Sequence, residues 1–264
     1  MGKPQGGSEA GPRSNGRGIL TQVKVPTNRT PTSFNLRIQM DVIRAPGMDE
    51  LKVPLSKPCE IADSVSAWEW SGSAFDERNE ESKWFSNYLG KPSRLVRFNE
   101  VTETKVVDPN YVRGHKTMFS DRYPFLLLSQ ESLNTLNKLL KPLPVNCFRP
   151  NILVDGCEPF SEDLWKEIKI NKFTFHGVKL CSPCKMPTIN QETAIPSSES
   201  VPTVTLPTFR SDKVLRPTRK QQGKYFGQNM VCLDSVTDGK GKRIKGGDPV
   251  YVRKVLPSCA DAPA

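Results

Sequence analysis

Apolar and polar residues alternate through residues 34–42. Phe34, Leu36, Ile38, Met40 and Val42 share one face, and Arg37, Gln39 and Asp41 share the other. A period of two predicts a half-buried strand. Shorter strands are predicted at 51–55, 65–70 and 94–98. Residues 79–89 read as a helix: the first turn is acidic, Trp84, Phe85, Tyr88 and Leu89 gather on one face, and Gly90 marks the stop.

Further along, residues 121–123 predict a turn and 124–128 a buried strand. Ser129 is placed to cap a helix carrying Leu133, Leu136, Leu139 and Leu140, ended by Pro142. Residues 152–154 read as a short buried strand. Residues 167–170 and 173–180 form a hairpin around Asn171-Lys172. Within its second arm the apolar phase flips: Phe173 and Phe175 lie on one parity, Val178 and Leu180 on the other, with Gly177 between. That is the mark of a bulge. Residues 190–208 read as a Pro/Thr/Ser loop, and 225–233 and 249–255 as closing strands. The elements give a mainly β (α+β) chain with a few short helices.

Composition agrees: 23 prolines among 264 residues favour strands with long connections over helix. Residues 1–33, basic and rich in Gly, Pro, Ser and Thr, read as a disordered leader, and 256–264 as a disordered tail. No apolar stretch is long enough to cross a membrane as a helix. No apolar signal core opens the chain, so the seven irregularly spaced cysteines are expected to be reduced and intracellular. The net charge of +10 is concentrated near the start and after residue 205, most densely at 213–224. That cluster lacks interleaved aromatic residues, so nucleic acid is not the expected partner. An acidic protein, an anionic cofactor or plain solvent remain.

The chemistry concentrates in Phe148-Arg149-Pro150-Asn151 and in Cys181-Ser182-Pro183-Cys184. An Arg and an Asn ahead of a strand suit an anionic ligand. The cysteine pair leaves four alternatives open. Zinc needs four ligands, and His115 and His176 are the only histidines. A redox pair wants its first thiol at a helix N-terminus, which Met186-Pro187 disfavours. Two buried thiols would be structural. A single thiolate could hold a soft metal whose other ligands a cofactor supplies.

Four segments carry a resemblance: 148–163 (FRPNILVDGCEPFSED), 178–184 (VKLCSPC), 226–229 (FGQN) and 244–251 (IKGGDPVY). Together they resemble the MOSC domain, and more closely the mitochondrial amidoxime-reducing component subfamily in its plant form, over about 44–255. The resemblance implies a MOSC-type β-barrel at 111–255, preceded at 34–110 by an incomplete remnant of the MOSC-associated N-terminal β-barrel. It implies molybdenum cofactor, a pterin dithiolene ending in a phosphate. Cys184 would be the thiolate on molybdenum, with Cys181 a neighbour. Arg149 would fork onto the phosphate and Asn151 would read the pterin edges. Asp121, Arg122 and Tyr123 would contact the cofactor, and Ser182 and Asn229 would line the site. Asp155 would be either a proton donor or a hydrogen-bonded turn residue before Gly156.

The implied activity is reduction of N-hydroxylated substrates, amidoximes and hydroxylamines, by oxygen-atom transfer. Electrons would come singly from a b-type cytochrome and its flavin reductase. The implied location is mitochondrial, with the cytoplasm as the alternative because no targeting segment is evident. The family also carries a pyridoxal phosphate label. The chain departs from the family in having no Lys-Ser pair before Phe34, Pro183 where an Arg is usual, and Gly246-Gly247 where Val-Gly is usual. These departures favour a second expectation, a non-catalytic carrier of cofactor or sulfur or an inactive truncated isoform. A CxxC thiol oxidoreductase is the third.

Overall fold

The computed structural model describes residues 17–19, 40–56, 58, 60–67, 69–120, 122–190, 193, 195–197, 202–218, 223–234 and 244–263. They form two units, one of residues up to 106 with 116–122, the other of 107–115 with 123 onward.

The first unit holds an antiparallel four-stranded sheet in the order β1 (Arg17–Ile19), β6 (Leu95–Phe98), β5 (Trp70–Asp76), β4 (Glu60–Ala67). Two ladders accompany it, β2 (Met40–Ile43) with β3 (Leu51–Pro54), and β7 (Lys105–Val106) with β8 (Lys116–Thr117). The helix α1 (Asn79–Leu89) buries Trp84 and Phe85 against Ile43, Leu51, Val53 and Leu95. Gly90 ends it at φ 65, a conformation glycine adopts without a Cβ penalty. Three expectations change here. The strand expected at 65–70 is a hairpin, because Ala67 pairs with Trp70 and the chain reverses between them. Of the strand expected at 34–42, only the end from Met40 lies among the described residues. Arg17–Ile19, inside the expected leader, pairs with β6.

The second unit holds a six-stranded sheet in the order β10 (Ile152–Val154), β9 (Phe125–Ser129), β13 (Gln228–Cys232), β12 (Phe173–Leu180), β11 (Trp165–Ile170), β14 (Val250–Val255). β9 and β10 are parallel and the other neighbours antiparallel. One core packs Phe125, Leu127, Ile168, Phe173, Phe175 and Met230. A second packs Leu128 with Leu133 and Leu136 of α2 (Gln130–Asn137), and with Phe148 and Phe226. The Ser129 hydroxyl accepts from Ser132 N at 3.0 Å and caps α2. The helix stops at Asn137, short of Leu139 and Leu140, and the Asn137 side chain turns to bond the backbone of Leu143. The short helix α3 (Leu206–Arg210) begins inside the loop predicted at 190–208, and α4 (Asp212–Leu215) follows it.

The bulge is where the phase flip placed it. Gly177 pairs with Met230 and Lys179 with Asn229, so Val178 is the extra residue. A Cβ on Gly177 would lie 2.3 Å from the Trp165 carbonyl and from the Gln228 amide.

The tail is not disordered. Leu256 N donates to Leu164 O at 2.8 Å, Leu180 N to Pro263 O at 2.8 Å, and Ala262 is fully buried against Leu180 and Tyr225. β12 runs on past the last pairing with β11, at Glu167–His176. The tail caps the Leu180 N–H left beyond that point, a backbone group that would otherwise lack a partner.

Candidate functional site

The site lies in the second unit, on the face of β9 opposite the Phe125–Leu127 core. Leu126 pairs with Asn229, and Asn229 with Lys179. From the other side, Asn151 N donates to Leu126 O at 2.9 Å while its own Oδ1 accepts from Leu126 N at 2.8 Å. Asn151, Leu126, Asn229 and Lys179 thus form one rung across four strands. None is buried, whereas the next rung, Ile152, Leu127, Gln228 and Leu180, is. With Oδ1 engaged, the Asn151 amide nitrogen is the group able to donate to a ligand.

At the far end of the rung Lys179 Nζ donates to the Tyr111 hydroxyl at 2.9 Å and lies 4.1 Å from that ring's centroid. Tyr111 meets Tyr123 edge-on at 6.4 Å. Tyr123 is half-buried and packs on Val107, Val178 and Val231. Lys179 and Tyr111 were missed from sequence. The one signal was a lysine beside the bulge, between Val178 and Leu180. Tyr111 lies 68 residues away and gives no local sign.

Two short 3-10 turns flank the Arg and the thiol in sequence. Val145–Cys147 packs against Met186–Thr188. Arg149 lies two residues past the first turn and Cys184 two residues before the second; both are exposed. Arg149 has φ 58, left-handed backbone that a non-glycine residue adopts at about 1–2 kcal/mol. Such strain concentrates at ligand sites.

The two cysteines differ. Cys181 is half-exposed, and its backbone is tied to the segment before β13: Cys181 N donates to Gly227 O at 2.8 Å and Phe226 N to Cys181 O at 2.9 Å. Gly227, at φ 80, fits there because a Cβ would lie 2.7 Å from the Leu127 carbonyl. Cys184 is exposed on the loop beyond, its sulfur accepting from Met186 N at 3.4 Å. Exposure removes the reading of two buried thiols. A three-residue 3-10 turn follows the pair, so the helix N-terminus that would activate a redox cysteine is missing. Among the described residues no three His, Cys, Asp or Glu side chains are grouped to hold a metal ion. His176 instead bonds Glu167 Oε2 at 3.1 Å, which also takes Lys254 at 2.9 Å. A metal on Cys184 would therefore take its other ligands from a cofactor.

Of the remaining expected residues, Ser182 is exposed between the cysteines and Asn229 sits on the rung. Asp155 is not brought to this group. It follows β10 at the end opposite Asn151, about 13 Å away at strand rise. Arg122 is exposed and belongs to the first unit; Asp121 lies outside the described residues.

The acidic end of the 148–163 segment is architectural. Glu162 is buried, accepts from Ser132 Oγ at 2.9 Å, and has its carboxyl pushed up by burial. Asp163 is buried against Arg210, and burial pushes its carboxyl up to about 6 despite that guanidinium. The basic cluster is partly internal too. Arg216 is fully buried and paired with Asp212, so it adds no charge to a docking surface.

Residues 114–251 match the MOSC domain family, and residues 19–92 match the MOSC N-terminal beta barrel domain. The chain belongs to the MOSC domain family. Its likeness to MOSC proteins starts well before Arg44, where the motifs alone placed it. The mitochondrial amidoxime reducing component 2 of Bos taurus is 29% identical over 222 residues, covering 80% of this chain and 62% of that protein. The mitochondrial amidoxime-reducing component 1 of Homo sapiens is 33% identical over 181 residues, covering 65% of this chain and 50% of that protein. The molybdenum cofactor sulfurase of Oryza sativa is 27% identical over 266 residues, covering 93% of this chain and 31% of that protein. The MOSC chain thus spans less than two thirds of the length of each. These amidoxime-reducing relatives are animal proteins, so the plant form is not supported, and neither matched domain supports pyridoxal phosphate.

Proposed function

We propose that this MOSC protein binds molybdenum cofactor through Cys184 and reduces N-hydroxylated substrates. The observation that supports the reading is that the exposed Cys184 and the exposed Arg149 each lie two residues from one of two 3-10 turns that pack together. The residues present fit the group. Arg149 offers a planar fork for a terminal phosphate. Asn151 offers an amide donor already oriented by Leu126. Asn229 and Lys179 extend the polar rung. Cys184 would offer one soft thiolate ligand to the metal. When bound, the cofactor would supply a two-electron centre able to accept an oxygen atom from an N–O bond.

Reducing an amidoxime to an amidine consumes two electrons and two protons and releases water. The electrons would come singly from a b-type cytochrome fed by a flavin reductase, and the setting would be mitochondrial, as the relatives' names suggest. Among the described residues no helix is long and apolar enough to cross a membrane. The broad match to the sulfurase supports a second reading, a module that carries cofactor or sulfur without turnover.

The experiment is turnover of benzamidoxime by the molybdenum-loaded chain with a reconstituted cytochrome and reductase. Benzamidine formation is expected. A loaded chain that gives no benzamidine would leave the carrier reading in its place.

A further inference from the structure

We infer that residues 256–263 act as a strap that fixes the strand end delivering Cys184, and that Arg216 is the positioning residue anchoring it. The claim that this serves a metal rests on the proposed function; the mechanical coupling does not.

The strap is held at three points. Leu256 N donates to Leu164 O at 2.8 Å, next to the start of β11. Leu180 N donates to Pro263 O at 2.8 Å, one residue before Cys181. Between these points Ala262, fully buried, packs with Leu180, Tyr225, Leu215 and Leu256. Internal bonds keep the strap folded: Asp261 N donates to Ser258 O at 3.1 Å, Ala262 N to Cys259 O at 3.2 Å, and Ser258 Oγ to Asp261 Oδ2 at 2.7 Å.

Beneath the strap lies Arg216, with no exposed surface. Its Nε donates to Asp212 Oδ1 at 2.8 Å, its Nη2 to the Tyr225 hydroxyl at 2.7 Å, and its Nη1 to Ala262 O at 3.0 Å. The Tyr225 hydroxyl in turn donates to Asp212 Oδ2 at 2.9 Å. A buried guanidinium is tolerable only when its donors are matched, and the strap carbonyl is the partner of Nη1. The same group reaches the cysteine loop from below. Tyr225 N donates to Arg210 O at 2.9 Å, and Phe226 and Gly227, the next two residues, bond the backbone of Cys181.

Lifting the strap would therefore uncover the Leu180 N–H, the Arg216 Nη1 and the apolar seat of Ala262 together. The groups released flank Cys181, whose own backbone Gly227 and Phe226 hold, and so bear on where the loop to Cys184 begins. The strap and the strand end should open as one unit.

Native-state amide exchange on the metal-free full chain tests this, with Phe175 as the core reference. In the wild type, Leu180 and Ala262 are expected to exchange at one rate with one denaturant dependence. In Ala262→Asp, which places a charge in the buried seat, Leu180 and Cys181 should exchange about tenfold faster or more, with Phe175 unchanged. The account is overturned if wild-type Leu180 stays protected with Phe175 while Ala262 opens alone. It is equally overturned if Ala262→Asp frees the Leu256 amide and leaves Leu180 and Cys181 as before. Should Ala262→Asp fail to fold, the wild-type comparison decides alone. Because no metal is present, a chain that binds no molybdenum would sink the proposed function and leave this result standing.

Discussion

Arg149 holds left-handed backbone directly before Pro150, where the proline ring disfavours the right-handed helical region. The strain of about 1–2 kcal/mol is relieved by glycine, which takes that conformation freely. Arg149→Gly therefore removes the strain together with the side chain, and the melting temperature of the metal-free chain reads the balance of the two. The same variant should lose bound pterin on dialysis at least about tenfold faster, through the missing charge-assisted fork. A lowered melting temperature with unchanged retention would make Arg149 a structural residue. The Arg-Pro-Asn run stood out in sequence because it is local. The clamp of Asn151 on Leu126 did not, because it depends on the parallel pairing of β9 with β10 across 25 residues. Asp155, by contrast, follows the far end of β10, where the proton-donor alternative does not bring it to the rung.

At the scale of elements, the phase flip at Gly177 was a sufficient signal because a bulge must change which face the following residues present. It turns Val178 toward Val231 and Val107 and sets Lys179 on the polar rung. Gly177→Val would drive a side chain into the Trp165 carbonyl, which has no freedom to move inside its ladder. The expected loss is about 1–3 kcal/mol, read as a lower urea midpoint with an unchanged slope. An unchanged midpoint would show that the close approach is not there. Other elements gave no such signal. The β4–β5 hairpin reads as one strand because Trp68-Glu69, the two residues between the paired Ala67 and Trp70, include no Gly, Pro, Asn or Asp to mark a turn. The tail reads as disordered because its short polar sequence gives no sign that Arg216 and Leu180 are waiting for its carbonyls.

At the scale of the whole molecule, composition and motifs were enough to read a mainly β chain of MOSC type, and the two family matches bear this out. Net charge was less informative. The +10 balance suggests a broad basic surface, yet Arg210 and Arg216 are buried in ion pairs with Asp163 and Asp212. Charge counted along a sequence cannot separate surface cations from those that brace a core. What the second unit presents is an exposed thiol and an exposed guanidinium, each two residues from one of two packed 3-10 turns, with a second thiol held back by its backbone. The most direct measurement is molybdenum and pterin content per chain for the wild type, Cys184→Ala and Cys181→Ala, purified alike from a host that makes the cofactor. The account predicts loading stoichiometric with the chain in the wild type, most of it kept in Cys181→Ala, and molybdenum lost in Cys184→Ala. No molybdenum in the wild type, or equal loss in the two variants, would contradict it.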